Sequence, residues 1–173
     1  YNELKSGSIS VYQLDRYLGQ SPKKLVRALA DNVPIRPLSV KIKLTWHCNL
    51  TCGMCSEWRI QGQAPPRENY FDTWEKLKEV LDDLIELKTK KVHFSGGEPL
   101  IYPYLEQAII YLTQSGRHVS IVSNGTLWTK EKAQRLVEAG LTHITFSLDS
   151  PFSDTFKHMR GKDTWELLIK GIE

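Results

Sequence analysis

The sequence predicts an α/β fold built on a parallel sheet, and two observations carry that prediction. From Val40 onward the apolar pattern switches in regular order between a period of two and a period near 3.6 residues, the mark of βα units laid side by side. Each predicted strand then ends in a segment that local structure does not require. These segments are residues 48–55 with the cysteines, Gly96-Gly97-Glu98-Pro99, Ser123-Asn124-Gly125-Thr126 and Ser147-Leu148-Asp149. In parallel βα folds ligands bind at the carboxyl ends of the strands, where loops and helix N-termini converge, so all four segments point to one site. Taken singly, a Gly-Gly-Glu-Pro or an Asn-Gly is more often a turn than a binding element.

The elements follow in order. A first strand over 40–45 alternates Val40, Ile42 and Leu44 with Lys41 and Lys43, and a long loop carries the cysteines and Pro65-Pro66. A helix over 74–88 opens on Asp72 with Glu75 as a capping box and buries Trp74, Leu77, Leu81, Leu84 and Ile85. A strand over 91–95 leads to a helix over 104–115, with Pro103 in its first turn and Gly116 past its end. A strand over 118–123 is followed by a helix capped by Thr129 and ended by Gly140, and a strand over 142–148 alternates Ile144, Phe146 and Leu148 with Thr145 and Ser147. A fifth helix starts near Asp163 and Glu166. Residues 1–39 do not share this rhythm. Leu14, Leu18, Leu25, Val26 and Leu29, with Ser21-Pro22 as a start, suggest an N-terminal helical extension packed on a core spanning 40–173.

Composition narrows the function. The chain has 173 residues, 40 % hydrophobic and 25 % charged, enough for one sizeable core. The net charge of +3 is spread among mixed acids and bases, so no basic stripe of a nucleic-acid binder stands out. No apolar run of membrane-spanning length and no signal peptide is evident, which leads to the expectation of a cytoplasmic protein without a membrane partner. The chain starts at Tyr1 and stops at Glu173 within an amphipathic pattern of Trp165, Leu168, Ile169 and Ile172, which reads as a piece of a longer protein. Its three cysteines, all within 48–55, cannot build a disulfide framework and point to metal or redox work in a reducing compartment.

The cysteine spacing is the specific signal. Cys48, Cys52 and Cys55 lie in one loop that Gly53 lets curve tightly, so that three thiolates reach three irons of one 4Fe-4S cube. An incomplete protein shell leaves one iron for a substrate or cofactor to ligate, by the logic that separates catalytic from structural metal sites. Zinc with His47 as fourth ligand is a weaker reading, because adjacent His47 and Cys48 chelate one ion awkwardly. A thioredoxin-like pair at Cys52 and Cys55 leaves Cys48 unexplained.

These residues resemble the radical S-adenosylmethionine (SAM) superfamily, whose hallmark is CxxxCxxC after the first strand of a partial (β/α) barrel. Gly96-Gly97-Glu98-Pro99 looks like the family's GGEP segment, and the Ser123-Asn124-Gly125 and Ser147-Leu148-Asp149 segments look like its next two strand-end motifs. Arg160-Gly161 adds to the likeness. The combination is similar to the subgroup of molybdenum-cofactor cyclases, anaerobic sulfatase-maturating enzymes and peptide-modifying enzymes, and it covers 40–173. The resemblance implies a partial barrel truncated after the fourth or fifth βα unit, without the sixth strand. It implies an enzyme in which Cys48, Cys52 and Cys55 hold a 4Fe-4S cluster and SAM chelates the open iron. An external one-electron donor of flavodoxin or ferredoxin type then drives reductive cleavage of SAM to methionine and a 5′-deoxyadenosyl radical, which takes hydrogen from a peptide or small-molecule substrate.

By the same resemblance Gly96, Gly97 and Glu98 position the methionine amino group, and Ser123, Asn124, Ser147 and Asp149 are candidates for the carboxylate and ribose hydroxyls. Arg160 is a candidate partner of the SAM carboxylate, weighed against a surface ion pair in a loop. Met54 stands where the family usually has an aromatic residue against the adenine, and its thioether can still cover an adenine face. His93, His118 and His143 sit in strands with no partner identifiable from sequence and are read as satisfied or exposed. Trp58 and Arg59 are read as loop packing or a substrate path. The alternative function is an iron-sulfur electron-transfer or sensing module in which the strand ends are only turns.

Overall fold

A computed structural model of the protein describes residues 8–10, 37–55 and 69–172. Five parallel strands form one sheet in chain order: β1 (Ser8–Ser10), β2 (Ser39–Thr45), β3 (Lys91–Gly96), β4 (His118–Ser123) and β5 (His143–Phe146). The helices are α1 (Trp74–Glu86), α2 (Leu105–Gln114), α3 (Lys130–Glu138), α4 (Ser153–Arg160) and α5 (Trp165–Ile172), with a 3-10 turn at Pro99–Ile101. From β2 to β5 strand and helix alternate as the periodicity predicts, and the parallel order of these four strands follows from each crossover helix returning the chain to the same edge.

Side-chain alternation gives the sheet two unlike faces. Val40, Ile42, Leu44, Val92, Phe94, Val119 and Ile121 are buried in one cluster with Leu77, Leu81, Ala108, Ile109 and Leu112 of α1 and α2. The alternate residues on the other face include Lys41, Lys43, Lys91, His93, His118, Ser120 and His143, and are polar except for Val122.

Four expectations change. Ser8–Ser10 pairs in parallel with Ser39–Lys41, so part of the N-terminal segment enters the sheet where a helical extension was expected; three residues are too short to show a period. The helices expected around Leu14, Leu18, Leu25, Val26 and Leu29, and the Trp58, Arg59 and Pro65-Pro66 readings, lie outside the described residues. The cap of α1 is Thr73, whose hydroxyl accepts the Lys76 N–H at 3.4 Å, while the expected cap Asp72 pairs with the Lys76 ammonium at 2.7 Å. Finally, α4 forms where a loop was expected, and β5 ends at Phe146 instead of running to residue 148. One buried side chain, Phe156, sets the seat of α4 by stacking edge-on to Trp165 with ring centroids 5.5 Å apart. Gly161, with φ +72°, stops it in a left-handed C-terminal turn.

Candidate functional site

The parallel strands bring the ends of β2, β3, β4 and β5 to one edge, and the predicted segments meet there. β2 leaves the sheet through Thr45, whose hydroxyl accepts the His47 N–H at 3.0 Å, and Asn69 accepts the Trp46 N–H at 2.9 Å. The glycine pair after β3 then lies directly on this exit. Gly97 N–H donates to Thr45 O at 2.7 Å and Glu98 N–H to His47 O at 2.8 Å. A Cβ on Gly97 would stand 2.1 Å from His47 O, and one on Gly96, at φ +146°, 2.4 Å from Thr45 O. Backbone fills the space a side chain would need, so the two residues are glycines because the cysteine loop is seated against them.

Glu98 ties this layer to β4. Its side chain, 1 % exposed, accepts Leu100 N–H at 2.9 Å, the Ser123 hydroxyl at 2.8 Å and Asn124 N–H at 2.8 Å. Burial pushes its carboxyl above the ordinary value, and the hydrogen bonds from Asn124, Leu100 and Ser123 act against that rise. The Glu98 side chain is thus turned into the chain's own strand ends, a role the sequence reading did not give it. What the segment leaves toward a ligand is backbone of Gly96 and Gly97, since Glu98 N–H donates to His47 O and Glu98 O accepts the Ile101 N–H at 3.3 Å.

Two side chains donate to cysteine sulfurs from opposite sides. Asn124 Nδ2 lies 3.8 Å from Cys48 Sγ and 2.9 Å from Asn49 Oδ1, while Asn49 Nδ2 reaches Thr126 Oγ1 at 2.8 Å, so an Asn49–Asn124–Thr126 clasp joins the cysteine loop to the β4 loop. Leu50 N–H also donates to Cys48 Sγ at 3.4 Å. Arg160 Nη1 lies 3.7 Å from Cys52 Sγ. Its Nη2 donates to Ser147 O at 2.7 Å and pairs with Asp149. The alternative of a surface ion pair in a loop is therefore corrected: Arg160 ends α4, is 8 % exposed and stacks over the Phe156 ring at 5.6 Å. Its Nε is buried without a hydrogen-bond partner among the described residues. Gly53 N–H donates to Met159 O at 2.9 Å and Lys162 Nζ to Asn49 O at 2.8 Å, fixing the loop to α4 and the turn after it. Met54 is 51 % exposed.

None of the three cysteines forms a disulfide. Burial pushes the Cys48 thiol above its ordinary value, with Glu98 and Cys52 adding to the rise and the Leu50 and Asn124 hydrogen bonds opposing it. A bound cation reverses such a balance. Among the described residues no three His, Cys, Asp or Glu side chains converge as a ready-made metal cage, the cysteines included. The fit to a 4Fe-4S cluster lies in the donor chemistry: three thiols in one short loop, with amide and guanidinium donors already at two of the sulfurs. Zinc with His47 gains nothing from the geometry, since His47 uses its backbone to hold Glu98 and its side chain is exposed.

The class is settled by comparison with known proteins. The model of the radical SAM superfamily matches residues 42–173, and the chain belongs to that family, whose cofactors are a 4Fe-4S cluster and SAM. A protein named Fe-coproporphyrin III synthase from Methanosarcina barkeri is 32 % identical over 99 % of this chain and 42 % of its own length. A PqqA peptide cyclase from Bradyrhizobium diazoefficiens is 32 % identical over 70 % of the chain and 30 % of its own length. The chain thus spans less than half of the curated relatives it matches. The crystal structure of Streptococcus suis SuiB bound to SAM overlays with a TM-score of 0.61 at 21 % identity, covering 87 % of this chain and 32 % of SuiB, which supports the partial-barrel fold.

Proposed function

We propose that this chain is the cofactor-binding part of a radical SAM enzyme that takes a hydrogen atom from a peptide or small-molecule substrate. The observation that carries the reading is the seating of the cysteine loop: Gly96-Gly97 lie under it, and Asn124 and Arg160 donate to its sulfurs. Cluster and SAM, when bound, supply a reductive carbon-sulfur cleavage that yields a 5′-deoxyadenosyl radical.

The chain's own residues supply ligation and orientation. Cys48, Cys52 and Cys55 hold three irons. The carbonyls of Gly96 and Gly97 are offered to a donor such as the methionine amino group, since the amides of Gly97 and Glu98 are engaged with Thr45 O and His47 O and the Glu98 carbonyl accepts the Ile101 N–H. Arg160 offers its guanidinium to the SAM carboxylate beside Ser147 and Asp149, and Ser123 and Asn124 keep the adjoining strand end in place. Met54 is exposed enough to lie over an adenine ring. An external flavodoxin- or ferredoxin-type donor supplies the electron. A cytoplasmic setting fits thiols kept out of disulfides, and no described helix is long and apolar enough to cross a membrane.

The test is anaerobic reconstitution with iron and sulfide, then electron paramagnetic resonance of the reduced protein with and without SAM. A 4Fe-4S signal that changes on adding SAM, with 5′-deoxyadenosine formed, is the expected result. A cluster signal indifferent to SAM would instead favour the electron-transfer reading.

A further inference from the structure

The sheet face turned away from α1 and α2 has a composition that the site at the strand ends does not use. Strands β2 to β5 carry Lys41, Lys43, Lys91, His93, His118 and His143 and no Asp or Glu at all. Register sets these groups in rows. Lys41 pairs with His93, His93 with Ser120, and Ser120 with His143, so four polar side chains cross four strands in one line. A second row joins Ser39, Lys91 and His118. At about 4.8 Å per strand, the first row spans about 14 Å.

A cavity of about 440 Å³ opens on this face, lined by Lys91, His93, His118, Ser120, Thr142 and His143. That volume suits a small organic molecule, not a single inorganic ion. Among the described residues none of Lys41, Lys91, His93, His118 and His143 has an ion-pair partner. Inward positions of a parallel barrel are ordinarily filled by branched apolar residues, which makes a row of bases a departure that packing does not explain. The bases also oppose one another: burial and the neighbouring Lys41, Lys91 and His143 all push the His93 imidazolium toward its neutral form. His93 is held in place by Ser120, whose hydroxyl bonds its Nδ1. An anion entering the cavity relieves this repulsion and meets donors on three strands.

We propose that this face binds a small organic molecule bearing several carboxylates, at the amino ends of β3, β4 and β5 and apart from the cofactor site at their carboxyl ends. Lys41 and Lys91 supply the fixed positive charge. His93, His118 and His143 supply imidazole donors across the row, and Ser120 orients His93.

The test is calorimetric titration of the protein at low ionic strength with tricarballylate, a three-carboxylate probe, and in parallel with inorganic phosphate. Tricarballylate is expected to bind at one site, about tenfold more tightly than phosphate, and to weaken as salt is added. The double variant Lys41→Gln/Lys91→Gln is expected to weaken it about tenfold or more, while Lys130→Gln, exposed on α3, leaves it unchanged. If circular dichroism shows the double variant unfolded, His143→Gln on the β5 edge must weaken binding by at least about threefold. Absence of saturable tricarballylate binding, equal affinity for phosphate, or binding indifferent to these substitutions overturns the proposal. The titration needs neither cluster nor SAM, so its failure beside a SAM-responsive cluster rejects this site alone, and the converse rejects the radical SAM reading alone.

Discussion

Two buried hubs hold the cysteine loop, and they are built differently. Glu98 joins β3 to β4 with its oxygens occupied by Leu100, Ser123 and Asn124, all within the chain. Arg160 joins α4 to the end of β5 and to Cys52, yet its Nε has no partner among the described residues, and Asp149 beside it is 31 % exposed. A carboxylate occupied within the chain is a bracket, whereas a buried guanidinium with donor capacity left over is available to the anionic ligand group proposed for it. The comparison separates a residue that holds the strand ends together from one proposed to meet the cofactor.

Removing the ligands themselves gives the largest effect. Alanine at Cys48, Cys52 or Cys55 is expected to abolish stable 4Fe-4S assembly, read as loss of iron, sulfide and the reduced-state resonance after reconstitution; a full cluster in any of the three variants breaks the ligand assignment. Next comes Glu98→Gln, which sets an amide against donors that need an acceptor. It should cost about 2–3 kcal/mol of stability, lowering the melting midpoint by roughly 5–10 °C. An unchanged midpoint would show that Glu98 is not the bracket described. Arg160→Met leaves Asp149 unpaired and strips a donor from Cys52. The expected result is a more negative cluster potential together with weaker SAM response, and a potential equal to wild type would confine Arg160 to packing.

The pH dependence sharpens the same contrast. Burial holds the Glu98 carboxyl above its unfolded value, so the folded state keeps that proton to higher pH than the unfolded one. The advantage of wild type over Glu98→Gln should therefore be greatest at low pH and shrink as pH rises from about 4.3 through the folded value, as followed by denaturant unfolding across that range. An advantage that grows with pH would reverse the sign. The smallest effect is assigned to Lys157→Ala: Lys157 and Asp163 meet at 2.9 Å with both side chains more than half exposed, and no measurable change in melting midpoint is expected.

Much of this was legible in the sequence. The alternation Val40, Ile42, Leu44 and the runs through Phe94 and Ile121 placed the strands, because burial on one face imposes period two. The cysteine, GGEP and strand-end segments were legible because in a parallel sheet every strand ends on the same edge. What escaped is equally physical. The clasp of Asn49 to Asn124 and Thr126 links residues about 75 positions apart, and no local pattern announces a contact between polar side chains that distant. Helix α4 hid because Phe156 is its one buried apolar residue, and so the burial of Arg160 at its end was not legible. The His93–Ser120 pair was within reach: aligning the strands by their apolar positions puts these two side by side.

The close approach at Gly97 also makes the site observable from a distance. The amides of Gly97 and Glu98 are protected from solvent exchange by carbonyls at the end of β2 and in the loop that follows it, Thr45 O and His47 O. Their deuterium uptake is thus a built-in gauge of how firmly the cysteine loop is seated, readable before and after iron and sulfide are added, without an enzyme assay.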